Sequence, residues 1–157
     1  MTDALIDAWE AAWSGRDRRA FLACCAPDLH YEDPLCDEPL SSPQELADHA
    51  ERLWEAFPDV RLERTGDRLT DGRFIAVPFK LVGTHRGEVD DFPATDRFAI
   101  VHAVCWFELD PPRERLWRVR AFYDVWDAAV QLGVLPKRGS LGERAVLLLR
   151  GFGLRAK

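Results

Sequence analysis

The feature that most restricts how this chain can fold is a change of period at Val60. Before it, apolar residues recur every three or four positions; after it, they alternate. Ala4, Leu5, Ala8, Trp9, Ala12 and Trp13 keep helical spacing, and Gly15 stops the run. Asp17 stands where it can N-cap a short second helix containing Phe21 and Leu22. Leu29 to Asp33 reads as a short strand closed by Asp33-Pro34, since a residue before proline disfavours helical geometry. Ser42-Pro43-Gln44-Glu45 is a capping box with proline at the first helical position. The helix behind it carries Leu46, Ala50, Leu53, Trp54 and Phe57 on one stripe, and Pro58 ends it.

Strands then follow one another. Val60 to Leu69 and Arg73 to Thr84 flank Asp71-Gly72, a strong hairpin signal. Pro78 has no N–H for a ladder, so its strand is an edge or carries a bulge. After a polar loop from Gly83 to Ala94, Arg97 to Leu109 and Arg115 to Asp124 read as two more strands, joined through Pro111-Pro112. Val125 to Gly133 predicts a short helix, and Ser140-Leu141-Gly142-Glu143 opens a last one through about Phe152. Helices first and consecutive strands after them predict an α+β domain, with helices on one face of a curved antiparallel sheet. Such a sheet leaves a concave apolar pocket under the helices.

Composition sets outer limits. At 157 residues and 47% hydrophobic, the chain can bury one core without disulfides or a metal. A net charge of −6 argues against general nucleic-acid binding. From Pro136 onward, six basic residues face only Glu143, so this tail carries +5 and the rest of the chain −11. Residues 1–135 read as the domain, and 136–157 as a basic amphipathic helical extension. That extension docks on its own domain or a symmetry partner, or else lies on a membrane surface. No run approaches the ~20 apolar residues of a membrane span. The acidic start, Met1-Thr2-Asp3, is unlike a signal peptide. Cys24, Cys25, Cys36 and Cys105 form no C-x-x-C pair, which leaves reduced thiols, no metal site and a cytoplasmic location as the expectation.

Five segments carry a resemblance. They are Tyr31-Glu32-Asp33-Pro34, Ala56-Phe57-Pro58-Asp59, Gly83-Thr84-His85-Arg86-Gly87-Glu88, Pro93-Ala94-Thr95-Asp96-Arg97, and Asp124 with Gln131-Leu132-Gly133 seven residues on. In this order and spacing, over roughly residues 5 to 135, the chain resembles the SnoaL-like polyketide cyclases of the nuclear-transport-factor-2-like (NTF2-like) superfamily. The resemblance implies a cone-shaped α+β fold, a homodimer paired through the sheet, and chemistry without cofactor or metal. It implies that Asp124 acts as the base of a ring closure on an apolar, carbonyl-bearing compound, with His102 in the same pocket. Arg118 and Arg120 stand where Glu and Trp are common in that family.

The residues themselves leave alternatives. Asp124, in Ala121-Phe122-Tyr123-Asp124-Val125-Trp126, is either a buried carboxylate raised toward the range of a general base or the N-cap of the next helix. Alternation puts Arg118, Arg120, Phe122 and Asp124 on one face. Arg120 on that face either recognises a ligand carboxylate or is solvated. His102 shares a face with Phe98, Ile100, Val104 and Trp106, as a pocket group or a satisfied strand histidine. Tyr31 and Asp33 share a face of the first strand, for ligand binding or for turn chemistry. His85 is a lid residue or loop surface, and Phe79, Trp106, Phe122 and Trp126 are candidates to line the cavity. Three functions follow: a cofactor-free acid–base enzyme of cyclase or isomerase type, a non-catalytic ligand-binding or dimerisation module, and an epoxide hydrolase using Asp33, Asp124 and Arg97.

Overall fold

The computed structural model describes residues 2–89 and 91–149. Helices α1 (Thr2–Gly15) and α2 (Arg18–Cys24) lead into strand β1 (Cys25–Glu32), followed by α3 (Pro43–Ala56). Strands β2 (Arg61–Arg64), β3 (Leu69–Asp71), β4 (Phe74–Thr84), β5 (Phe98–Leu109) and β6 (Leu116–Tyr123) come next. Two helices close the order, α4 (Val125–Gln131) and α5 (Leu141–Leu149).

Local chemistry sets these boundaries. Asp17 accepts from the Arg19 amide at 2.9 Å and caps α2. Ser42 caps α3 by accepting from the Glu45 amide, while the Glu45 carboxylate reaches back to the Ser41 amide at 2.8 Å. The Asp71-Gly72 turn forms between β3 and β4, with Gly72 at φ +61°, where a side chain is disfavoured.

One expected strand is split in two. Arg64 pairs with Phe79 and Leu69 with Ala76, so residues 65–68 face only Pro78 and Val77. Pro78 donates no hydrogen bond, and the partner chain bulges around it, keeping only the bond from Thr65 N–H to Pro78 C=O at 3.0 Å. Strand β4 is therefore interior, and the irregularity lies in its partner.

The sheet runs β1-β6-β5-β4-β2, with β3 also on β4. Every pairing is antiparallel except β1 with β6, which is parallel. That pairing is possible because the chain between β1 and β6 has room to cross over. Helices α1 to α3 cover the concave face through an aromatic core. Phe21 stacks on Trp54 at 6.1 Å, Trp9 meets Phe107 edge-on at 5.6 Å, and Trp54 Nε1 donates to Trp13 C=O at 3.1 Å. Each such side chain, fully buried, contributes on the order of 1.5–3 kcal/mol.

Strand β6 ends at Tyr123, which leaves the first half of β5 without a strand on that side among the described residues. Gln131 of α4 takes its place. Its amide accepts from Ile100 N–H at 2.8 Å and donates to Ile100 C=O at 2.9 Å, continuing the ladder with a side chain. The loop after β4 is pinned to the end of α3, where Arg86 and Gly87 N–H both bond Ala56 C=O. A Cβ on Gly87 would lie 2.2 Å from Glu55 C=O, so only glycine fits. Among the described residues helix α5 buries no side chain, and Leu141, Leu147, Leu148 and Leu149 are all exposed. The expected continuation to Phe152 lies outside the described residues. No described helix is long and apolar enough to cross a membrane.

Candidate functional site

A cavity of about 260 Å³ lies between the concave face of the sheet, α1, α3 and α4. Small side chains create it. Ala99, Val101, Ala103 and Cys105 of β5, with Ala121 of β6 and Ala128 of α4, leave the space that larger residues would fill. Trp9, Trp13 and Phe57 form the aromatic side, and Val89 and Phe92 of the polar loop stand near its edge. Among the described residues, apart from the Cys105 thiol, the polar side chains on the wall are Tyr31, Asp33 and Tyr123, with the tryptophan indoles.

Strand parity decides which residues reach this space. Val119 of β6 is buried, so Ala121 and Tyr123 also point inward while Arg118, Arg120 and Phe122 point outward. In β5 the inward set is Ala99, Val101, Ala103 and Cys105; Phe98, Ile100, His102, Val104 and Trp106 form the outer face. The expectation that Asp124 and His102 share the pocket is corrected by this geometry. His102 is exposed on the far side of the sheet. Asp124 caps α4, accepting from Asp127 N–H at 3.0 Å, and pairs with Arg138 at 2.9 Å, its side chain 51% exposed. The Asp127 amide and the Arg138 charge hold its carboxyl below the usual range, the opposite of a poised base.

The other expected lining residues divide in the same way. Tyr31 and Asp33 are on the cavity wall. Phe79 is buried in the core beneath it. Trp106 stacks on Phe74 at 5.5 Å on the outer face, Phe122 is exposed there, and Arg120 pairs with Glu32 at 3.3 Å. Trp126 belongs to α4 but is not on the wall. His85 is fully buried, neither lid nor surface, its ring stacked on Phe57 at 5.2 Å and its Nδ1 3.2 Å from Thr95 Oγ1. Asp33, Asp124 and Arg97 are not assembled into one site: Asp33 faces the cavity, Asp124 caps α4, and Arg97 rests against Gly133.

The polar end holds a group that sequence reasoning did not join. Asp33 has a side chain only 2% exposed and accepts four hydrogen bonds. Leu35 N–H and Cys36 N–H bond Oδ1 at 2.7 and 3.1 Å; Tyr31 Oη and His49 Nε2 bond Oδ2, each at 2.8 Å. Burial pushes this carboxyl up, but the bonds from His49, Tyr31 and Leu35 outweigh it and hold it below the usual range. Tyr31 and Tyr123 are both pushed well up, first by burial and then by the Asp33 charge, so both are neutral phenols. His49 was placed in α3 by its sequence, yet nothing in a helical pattern says that its ring meets a residue from the end of β1.

Asp33, Cys36 and His49 present three metal-ligand atoms within 4.8 Å of one another. Their chemistry does not suit a metal. Arg52 Nη2 lies 3.2 Å from His49 Nδ1, and a guanidinium only donates, so the ring proton sits on Nε2 and leaves no lone pair there. Burial pushes the Cys36 thiol up to about 11, and Asp33 is already saturated.

Comparison with known proteins places the chain. No curated protein matches it in sequence. AclR from Streptomyces galilaeus is similar in structure, with a TM-score of 0.74 at 22% identity, over 96% of this chain and 92% of that one. TsrD from Streptomyces laurentii gives 0.74 at 19%, over 85% and 95%. IdmH from Streptomyces antibioticus gives 0.73 at 19%, over 85% and 99%. At these identities the likeness establishes the fold, which is the expected NTF2-like one. The sequence profile of the SnoaL-like polyketide cyclases matches residues 3–132, and the chain belongs to that family.

Proposed function

We propose that this protein holds an uncharged, largely apolar small molecule of roughly two or three fused rings in the cavity under its sheet. The observation that carries this is the cavity itself: about 260 Å³, walled by alanine, valine and aromatic side chains, with polar groups gathered at one end. A wall of this kind rewards apolar area, and its few polar groups orient the ligand. Among the described residues no basic side chain lines it, so an anion is poorly served, and the Asp33 carboxylate is already taken up by four donors, which leaves little of it to hold a cation. Titration of 2-acetylnaphthalene, followed through tryptophan fluorescence, to which Trp9 and Trp13 on the cavity wall contribute, tests the reading. Saturable quenching is expected; its absence removes it.

A second reading is cofactor-free acid–base chemistry on such a molecule, as membership of a cyclase family suggests. The observation in its favour is that Asp33 is the one carboxylate on the cavity wall among the described residues. The role of base then passes from Asp124 to Asp33, with the Tyr123 hydroxyl polarising a carbonyl. The low affinity of Asp33 for a proton makes it a weak base, and for this reason binding is placed first.

The homodimer also belongs to this proposal. Phe98, Ile100, Val104 and Phe122 are exposed together on the outer face of the sheet, beside the Phe74–Trp106 stack. Such a patch is covered by a second copy of the chain in a sheet-to-sheet pair. Residues 1–135 are the binding domain in this scheme, with 136–157 an addition to it, and the cytoplasm remains the proposed location.

A further inference from the structure

The polar end of the cavity has a fixed arrangement of protons, and it follows from a residue outside the cavity. Arg52 offers only donors, so His49 Nδ1 accepts from it and the ring carries its proton on Nε2. That proton goes to Asp33 Oδ2 at 2.8 Å. The two backbone amides at Oδ1 are donors as well. The three other partners of the Asp33 carboxyl are all donors, and together they hold it ionised, with no proton of its own to give. Tyr31, whose hydroxyl lies 2.8 Å from Oδ2, must spend its single proton there. What remains on Tyr31 Oη is lone pairs.

Tyr123 is the complement. It lines the cavity, its hydroxyl has no hydrogen-bond partner among the described residues, and it is close enough to feel the Asp33 charge. Its proton is available to a ligand. Both tyrosines line the apolar cavity and both feel the Asp33 charge, so the cavity offers one acceptor-only oxygen and one free donor.

Resting on the reading of this cavity as a small-molecule site, we propose that it selects ligands carrying a neutral hydroxyl: an alcohol, a phenol or the enol form of a ketone. A single hydroxyl oxygen donates to Tyr31 and accepts from Tyr123. An ether or a ketone accepts from Tyr123 but leaves Tyr31 unmatched. A carboxylate brings a second negative charge toward Asp33, with no cation on the wall among the described residues to offset it. Arg52 and His49 are positioning residues in this scheme, since they act on the ligand only through the direction of the Tyr31 proton. For a ketone substrate, the same arrangement favours the enol tautomer over the ketone, which is the form that a ring closure through carbon requires.

The test is calorimetric titration of 2-naphthol, 2-methoxynaphthalene and 2-naphthoate into the full chain, its Tyr31→Phe variant and its Tyr123→Phe variant. The naphthol should bind the wild type roughly 2- to 12-fold more tightly than the ether, the worth of one net hydrogen bond. Tyr31→Phe should erase that preference while leaving ether affinity unchanged, which also shows that the cavity is intact. Tyr123→Phe should weaken both neutral probes, and the naphthoate should bind worst. Equal affinity for naphthol and ether in the wild type, or a preference that survives Tyr31→Phe, overturns the inference and leaves the cavity reading standing. Should Tyr31→Phe fail to fold, the wild-type comparison decides alone. No saturable binding of either neutral probe, or a preference for the naphthoate, overturns both.

Discussion

Replacing Ala103 by leucine separates a true cavity from a packed core, because the two give opposite signs. Ala103 lies on the cavity wall in the middle of β5, paired across the ladder with Tyr123 and Phe79. Leucine adds three carbons, which occupy only part of about 260 Å³. Burying them gains about 0.8 kcal/mol each, and ordering the longer side chain costs about 0.5–1 kcal/mol. The balance is a stabilisation of about 1.5–2 kcal/mol. For a chain of this length, that is a rise in Tm of roughly 3–8 °C. The same substitution takes space from the ligand, so affinity for a neutral two-ring compound should fall by roughly tenfold or more. Differential scanning calorimetry and a binding titration read the two effects. If this were a filled core, the added carbons would overpack it and destabilise by about 1–3 kcal/mol. A fall in Tm of that size, or an affinity left unchanged, refutes the assignment of this space as the binding cavity.

Other outcomes follow from the same geometry. Asp124→Ala should lower Tm, and Asp124→Asn should restore most of the loss, because an amide oxygen can still accept from the Asp127 amide; ligand affinity should not change in either variant. Asp33 is held below the usual carboxylate range, so its contribution to stability is complete above the unfolded value of ~3.9 and is lost as pH falls through the lower folded value. Asp33→Asn should remove part of this acid dependence and cost about 1–3 kcal/mol at neutral pH, since one amide group cannot accept from four donors; an unchanged urea midpoint would count against the network. Val104→Glu, on the exposed outer face, should turn a dimer into a folded monomer by light scattering after size exclusion, whereas a monomeric wild type at high micromolar concentration ends the dimer proposal. Gln131→Ala strips Ile100 of both side-chain partners at an exposed position where water can replace them, so a loss of about 1 kcal/mol is expected by chemical denaturation.

Most of the fold was legible in the chain because local rules act over a few residues. The caps at Asp17, Ser42 and Ser140, the Asp71-Gly72 turn, and the stops at Gly15 and Pro58 are each decided by neighbours in sequence. The pairing of Tyr31 with Asp33 on one face was legible for the same reason: strand period is two, whatever the sheet does with it. The family followed from five short segments in order, and the profile match over residues 3–132 agrees.

Three things were decided only by tertiary structure. Alternation groups residues into faces but does not say which face is inside, since both faces of β5 carry apolar side chains. That choice sent His102, Trp106, Arg120, Phe122 and Asp124 outward. The cavity was also invisible, because it is defined by what is small. Large aromatic residues attract attention as ligand-binding groups, yet Phe79 fills the core while Ala99, Ala103 and Ala121 make the room. Last, His49 reaches Asp33 from α3, sixteen residues further along the chain, with Arg52 behind it on the His49 ring, and the bonds that set the protons of the polar end exist only once that helix has packed against β1. Short-range sterics and hydrogen bonding determined the elements; the packing of the sheet against its helices decided which residues meet.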